Sequence, residues 1–155
     1  MKNEQLSELA KITIRQAQES DVSMLLRLSE QLGYQNELDE FANRYHRVTE
    51  DPESIIIVAE GADGSITGFL HCGILPELIV PFRVHIFALV VDEGARSRGY
   101  GEELVKAAED WAKERGCDAI TVRSRVDREG AHRFYNRLGF GRVKEQTYFR
   151  KSLES

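Results

Sequence analysis

Cysteine is scarce in this chain, with Cys72 and Cys117 the only two in 155 residues. They make neither a metal-ligand spacing nor a disulfide framework, so a reducing, cytoplasmic setting and no metal are expected. Lysine and arginine never gather into a cluster of more than a few, and the net charge is −5. That balance argues against nucleic acid as a partner. No apolar stretch approaches membrane-spanning length, and the polar start Met1-Lys2-Asn3-Glu4-Gln5 is not a signal peptide; no membrane partner is expected. Low-complexity tracts and internal repeats are missing too. What remains is an ordinary globular composition, 41% hydrophobic and 30% charged. It reads as a single domain over 1–155, with 1–11 as a polar lead-in.

Apolar spacing then divides the chain. Ile12 to Arg15 alternates as a half-buried strand does, and Ser20 or Asp21 is placed to cap a helix whose inward face is Val22, Leu25, Leu26, Leu28 and Leu32. A second helix is expected over 37–50, a strand over 54–59, a hairpin turn over 61–64 and its partner strand over 66–75. After a loop at 76–81, Val84 to Val91 reads as a buried strand. A helix over 102–115 follows, with Leu104, Val105, Ala108, Trp111 and Ala112 along one stripe and Gly116 as its stop. A strand over 117–122, a charged loop, a short helix over 131–138 and a final strand over 142–150 complete the chain. The order β-α-α-β-β-β-α-β-α-β is mixed α/β, neither a regular βαβ series nor an all-parallel sheet.

Between the Val84–Val91 strand and the helix lies Arg96-Ser97-Arg98-Gly99-Tyr100-Gly101. A strand, a glycine turn and a helix start leave free main-chain N–H groups in front of the helix dipole, a construction that binds phosphate. The dinucleotide fingerprint fails for want of a third glycine, since Leu104 stands there. The P-loop fails because Glu102-Glu103 replaces Lys-Ser/Thr.

The surviving pattern, R-x-x-G-x-G after a strand ending Leu89-Val90-Val91-Asp92, resembles the coenzyme A pyrophosphate loop of the GNAT superfamily of acyl-CoA-dependent N-acyltransferases. A second run resembles that family's A-x-x-F-Y-x-x-x-G-F segment, namely Ala131-His132-Arg133-Phe134-Tyr135-Asn136-Arg137-Leu138-Gly139-Phe140. The separation of the two motifs and the element order from Ile12 to Arg150 suit the family as well.

The resemblance implies that N–H groups from Arg96, Ser97, Arg98, Gly99, Tyr100, Gly101 and Glu102 hold the pyrophosphate of acetyl-CoA. It also implies that pantetheine pairs with the main chain of Leu89, Val90 and Val91, with the Val90 N–H polarising the thioester. Tyr135 stands where the family often has its general acid. Many members place an acidic base in the fourth strand, but Phe87 occupies that position and no carboxylate occurs between Arg83 and Val91. His85 is then the candidate base, ahead of His71 and Glu37. Arg128 replaces the usual pantetheine-contacting Asn. Glu102 and Glu103 favour the helix dipole but oppose a bound pyrophosphate unless directed outward.

These residues imply an acetyl-CoA-dependent N-acetyltransferase acting on a small-molecule amine or a protein amino group. No cysteine or serine is placed to carry the acyl group, so direct transfer in a ternary complex is expected. The rivals are a non-catalytic acyl-CoA-binding sensor or subunit and a nucleotide-binding protein using the same turn. A homodimer is compatible with the resemblance. The acceptor is not legible, because no motif marks the helices and loops that would contact it.

Overall fold

The computed structural model describes residues 12–154, so the lead-in at 1–11 lies outside the described residues. Two compact units are distinguished, one running through Val122 and one from Arg123 onward.

The first unit is a five-stranded sheet in the order β1-β2-β3-β4-β5. Its strands are β1 (Thr13–Gln16), β2 (Ser54–Glu60), β3 (Ile66–Leu75), β4 (Arg83–Val91) and β5 (Ile120–Val122). The first four pair antiparallel; β4 and β5 pair parallel. Among the described residues, three α-helices belong to this unit: α1 (Val22–Glu30), α2 (Leu38–Glu50) and α3 (Tyr100–Glu114). Alternation along each strand divides their packing between the two faces. Ile56, Val58, Phe69 and Val90 pack with Val22, Leu25 and Leu28 of α1 and Tyr45 of α2. On the other face, a Cβ on Gly68 would lie 3.3 Å from Leu104 Cδ1 of α3. The stripe read from the sequence of α3 is buried as expected: Leu104, Val105, Ala108, Trp111 and Ala112.

Asp21 does not cap α1 with its side chain. Its carboxylate takes bonds from Arg15 Nη1 at 2.8 Å and from the Gln18 N–H at 2.7 Å. The Arg15 guanidinium, followed by the Gln18 N–H, holds that carboxyl below its ordinary range despite burial. Because Arg15 Nε also reaches Glu60 at 2.7 Å, β1, β2 and the start of α1 are tied together at one point.

In the second unit, α4 (Glu129–Arg137) ends at Gly139, whose φ of +94° is the left-handed stop glycine allows. The final strand expected over 142–150 does not form. Those residues are exposed and carry no strand pairing. Val143, Tyr148 and Phe149 are strand-forming residue types, but a strand needs a partner edge, and residue type in one segment does not supply it. No helix of the described residues is long and apolar enough to cross a membrane.

Candidate active site

Strand β4 changes character at Phe87. From Val84 to Ile86 it is paired on both sides, with β3 and with β5. From Leu89 to Val91 it is paired with β3 alone, because β5 covers only Val84, His85 and Ile86. Register against β3 shifts between His71 and Cys72, which oppose Ala88 and Ile86, so Phe87 is one extra residue, a β-bulge.

The bulge decides which main-chain groups face the open edge. Asp92 N–H donates to the Thr67 carbonyl at 2.8 Å. Antiparallel alternation from that pair turns the N–H and C=O of Val90 toward β3 and those of Leu89 and Val91 away from it. Arg96 Nε, donating to the Val91 carbonyl at 3.3 Å, marks that carbonyl as outward. The expectation that the Val90 N–H polarises a thioester is therefore corrected. Val90 belongs to the ladder and the core, and the edge is formed by Leu89 and Val91.

The open edge leads into the glycine turn. Ser97 at φ 66° and Gly99 at φ 88° are both left-handed, and α3 begins at Tyr100, two residues earlier than its sequence suggests. Gly101 therefore sits in the first helical turn and needs no positive φ. The first helical bond runs from the Glu103 N–H to the Gly99 carbonyl at 3.1 Å, so the N–H groups of Tyr100, Gly101 and Glu102 head the helix. Glu102 and Glu103 extend forward along the helix to Lys106, at 3.9 and 3.5 Å, and are about half exposed. They point away from the turn, which removes the objection their charge raised. A side chain in α1's wake ties the turn's base in place. Gln31 Nε2 donates to Asp92 Oδ1 at 2.8 Å, and its Oε1 accepts the Glu93 N–H at 3.1 Å. Nothing in the sequence pattern signalled that link across sixty residues.

Around the bulge, His85 is 5% exposed and its Nδ1 lies 2.7 Å from Thr121 Oγ1. The Thr121 hydroxyl is 3.5 Å from the Val84 carbonyl. Which of the two donates in the His85–Thr121 bond follows from the imidazole tautomer. Phe87, 49% exposed, contacts the His85 ring at 5.3 Å between centroids and the His71 ring at 5.0 Å. Gly73 makes room for it, since a Cβ there would lie 3.2 Å from Phe87 Cε2. Burial lowers the pKa of His71 and keeps it neutral at pH 7. Glu37 is exposed at the start of α2 and is not part of this cluster.

In the second unit, Tyr135 is half-buried on α4, edge-on to Phe134 at 5.1 Å and to Phe140 at 5.4 Å. Burial raises its pKa, so the hydroxyl keeps its proton at neutral pH. Arg128 precedes α4, exposed, with its carbonyl accepting the His132 N–H at 3.1 Å.

A family model, that of the acetyltransferase (GNAT) family, matches residues 21–140. The chain belongs to that family. An uncharacterized N-acetyltransferase of Bacillus subtilis, YhdJ, is 37% identical over 85 residues, 53% of this chain and 58% of that protein. An aminoglycoside N(6′)-acetyltransferase of Stenotrophomonas maltophilia is 26% identical over 146 residues, 92% of this chain and 94% of its own length. A solved structure described as a transcriptional regulator from Bacillus halodurans superposes with a TM-score of 0.81 at 27% identity, over 90% of this chain and 99% of that one. As a GNAT protein the chain is an acetyltransferase, with acetyl-CoA as its family's cosubstrate and an amine as the general class of acceptor.

Proposed function

We propose that the protein moves an acetyl group from acetyl-CoA to a primary amine by direct attack in a ternary complex, within one catalytic domain spanning 1–155. The observation that carries this reading is the half-open strand β4, whose free edge at Leu89 and Val91 runs into the glycine turn. An amide-bearing pantetheine arm pairs with such an edge as an added strand does, while the N–H groups of Tyr100, Gly101 and Glu102 meet the pyrophosphate. Arg96, Ser97, Arg98 and Gly99 complete the loop, and Arg128 is assigned to the coenzyme arm.

In this reading the Leu89 N–H, the outward donor nearest the bulge, polarises the thioester carbonyl. His85 accepts the ammonium proton, and the freed amine lone pair attacks the carbonyl carbon. A C–N bond forms, the C–S bond breaks, and the departing thiolate takes its proton from the Tyr135 hydroxyl. The second N–H proton, lost as the amide forms, passes through solvent to the tyrosinate, and His85 gives up the first to bulk water, so one proton is released per turnover. Burial pushes the Cys72 thiol up to about 12. It is not a thiolate at neutral pH, which supports direct transfer over an acyl-cysteine route.

Calorimetric titration with acetyl-CoA, followed by thiol release over a panel of amines, tests the proposal. Binding together with amine-dependent thiol release is expected. Binding without release from any amine would leave a coenzyme-binding module instead. For the base, kcat/KM should rise with an apparent pKa between about 6 and 7.5, and His85→Ala should remove that limb. A surviving limb would move the role elsewhere.

A further inference from the structure

Two buried side-chain nitrogens among the described residues have no hydrogen-bond partner, His71 Nε2 and Arg83 Nη1. Both belong to one face of the sheet. Register sets Arg83 opposite Leu75 and His85 opposite Gly73, and odd-numbered positions of β3 from Phe69 to Leu75 share a side with His71. Phe87 touches both histidine rings on that side. Arg83 is paired with Glu77 through Nη2 at 3.3 Å, and Glu77 is itself nearly half exposed. The other terminal nitrogen of the guanidinium is buried with nothing to accept from it, an arrangement that disfavours the free protein and favours an incoming acceptor atom.

Its position along β4 tells what that atom belongs to. This step rests on the proposed acetyl transfer. A coenzyme arm on the open edge passes Val91 and then Leu89, bringing its thioester to the bulge. Arg83, Val84, His85 and Ile86 lie beyond it, where the acceptor must approach. Leu75, the partner of Arg83, is four positions from His71, about 13 Å along β3 at 3.3 Å per residue.

We propose that Arg83 is an anion subsite of the acceptor site. The amine that is acetylated carries a carboxylate several bonds from its reacting nitrogen. The carboxylate meets the Arg83 guanidinium while the nitrogen lies near the His71, His85 and Phe87 rings. A planar guanidinium with a free N–H suits a carboxylate better than any neutral group. A polycationic acceptor would instead meet Arg83 in a strand that contributes no carboxylate.

The test uses the full chain with a homologous series of ω-amino acids, each beside its carboxamide, and an aminoglycoside as the polycationic comparison. Wild-type protein should show kcat/KM at least about tenfold higher for the best acid than for its amide, mainly through KM. Arg83→Gln should remove that preference and Arg83→Lys keep part of it. Glu77→Gln, which releases Arg83 from its internal partner, should enlarge it. Amides or the aminoglycoside turning over as well as the acids would overturn the subsite. So would an equal loss for acid and amide in Arg83→Gln. Should Arg83→Gln not fold, the wild-type acid-to-amide ratio decides alone. Calorimetry of the same pairs on coenzyme A-loaded protein reads binding without turnover. Absent product with acid-selective binding would sink the transfer reading and keep the subsite, whereas equal affinities would sink the subsite.

Discussion

The two halves of β4 differ in composition and in duty: Arg83 and His85 interrupt the first, whereas Leu89, Val90 and Val91 are all apolar. Val84 to Ile86 lies between two neighbouring strands, and its main chain is consumed by them. Leu89 to Val91 has one neighbour, and every second residue turns an N–H and a C=O outward. Apolar content misleads about the halves, because the wholly apolar Leu89, Val90 and Val91 have one neighbouring strand, whereas the doubly paired stretch includes His85. The difference comes from the shortness of β5 and from one extra residue at Phe87. An open edge is ordinarily a liability in a sheet. Here it lies beside a helix start, where a ligand that brings its own amides would complete it.

The largest effect should come from breaking that distinction at Val90. Val90→Pro removes a donor that the ladder uses and leaves its acceptor unpaired, so a loss of about 1–3 kcal/mol is expected, with a correspondingly lowered Tm. Val91→Pro removes an outward donor, so it should unfold at nearly the wild-type temperature yet bind acetyl-CoA at least about tenfold more weakly. Similar melting temperatures for the two variants would mean that the parity assigned to the strand is wrong.

Tyr135 sharpens the comparison from outside β4. A phenol acting on the leaving thiolate contributes only in the transition state. Tyr135→Phe should therefore lower kcat by roughly 10- to 1000-fold while KM for acetyl-CoA stays near wild type. Steady-state kinetics would return Tyr135 to a packing role if kcat were unchanged.

Gly99 comes next. Its φ of 88° is left-handed, and a branched side chain there strains the turn that heads α3. Gly99→Val should cost about tenfold in coenzyme affinity, by calorimetry, in a protein that still melts cooperatively. Affinity equal to wild type would separate the turn from the site.

The smallest effect concerns His71. Burial lowers its pKa in the folded state, whereas an unfolded chain takes up that proton near pH 6.5. The unfolded state therefore binds more protons as pH falls through about 6.5, and stability declines on the acid side. His71→Phe should flatten the dependence of Tm on pH between about pH 7 and about pH 5. A slope as steep as wild type would assign the acid sensitivity to other groups.

Helices α1 and α3 were legible because three- and four-residue spacings of Leu25 and Leu28, and of Leu104, Ala108 and Trp111, describe a buried stripe without outside information. Phe87 was legible as a departure from a carboxylate, but not as a bulge. A bulge is a relation between two strands, and one extra residue reverses which main-chain groups point outward. That is why Val90 was assigned a donor role that its geometry denies. Gln31 gave no signal because an amide that bridges Asp92 and Glu93 looks like any surface glutamine at a helix end. The segment 142–150 erred the other way, with strand-forming residue types at Val143, Tyr148 and Phe149 and no strand to pair with.

Residue-resolved amide exchange, by NMR, with and without coenzyme A tests the central claim most directly. In the free protein the Val90 amide should exchange slowly, as a ladder donor does, and the Leu89 and Val91 amides quickly. Saturating coenzyme A should slow Leu89 and Val91 and leave Val90 as it was. If coenzyme A binds while those two amides keep exchanging freely, or if Val90 is the fast one in the free protein, the open edge of β4 is not the coenzyme site.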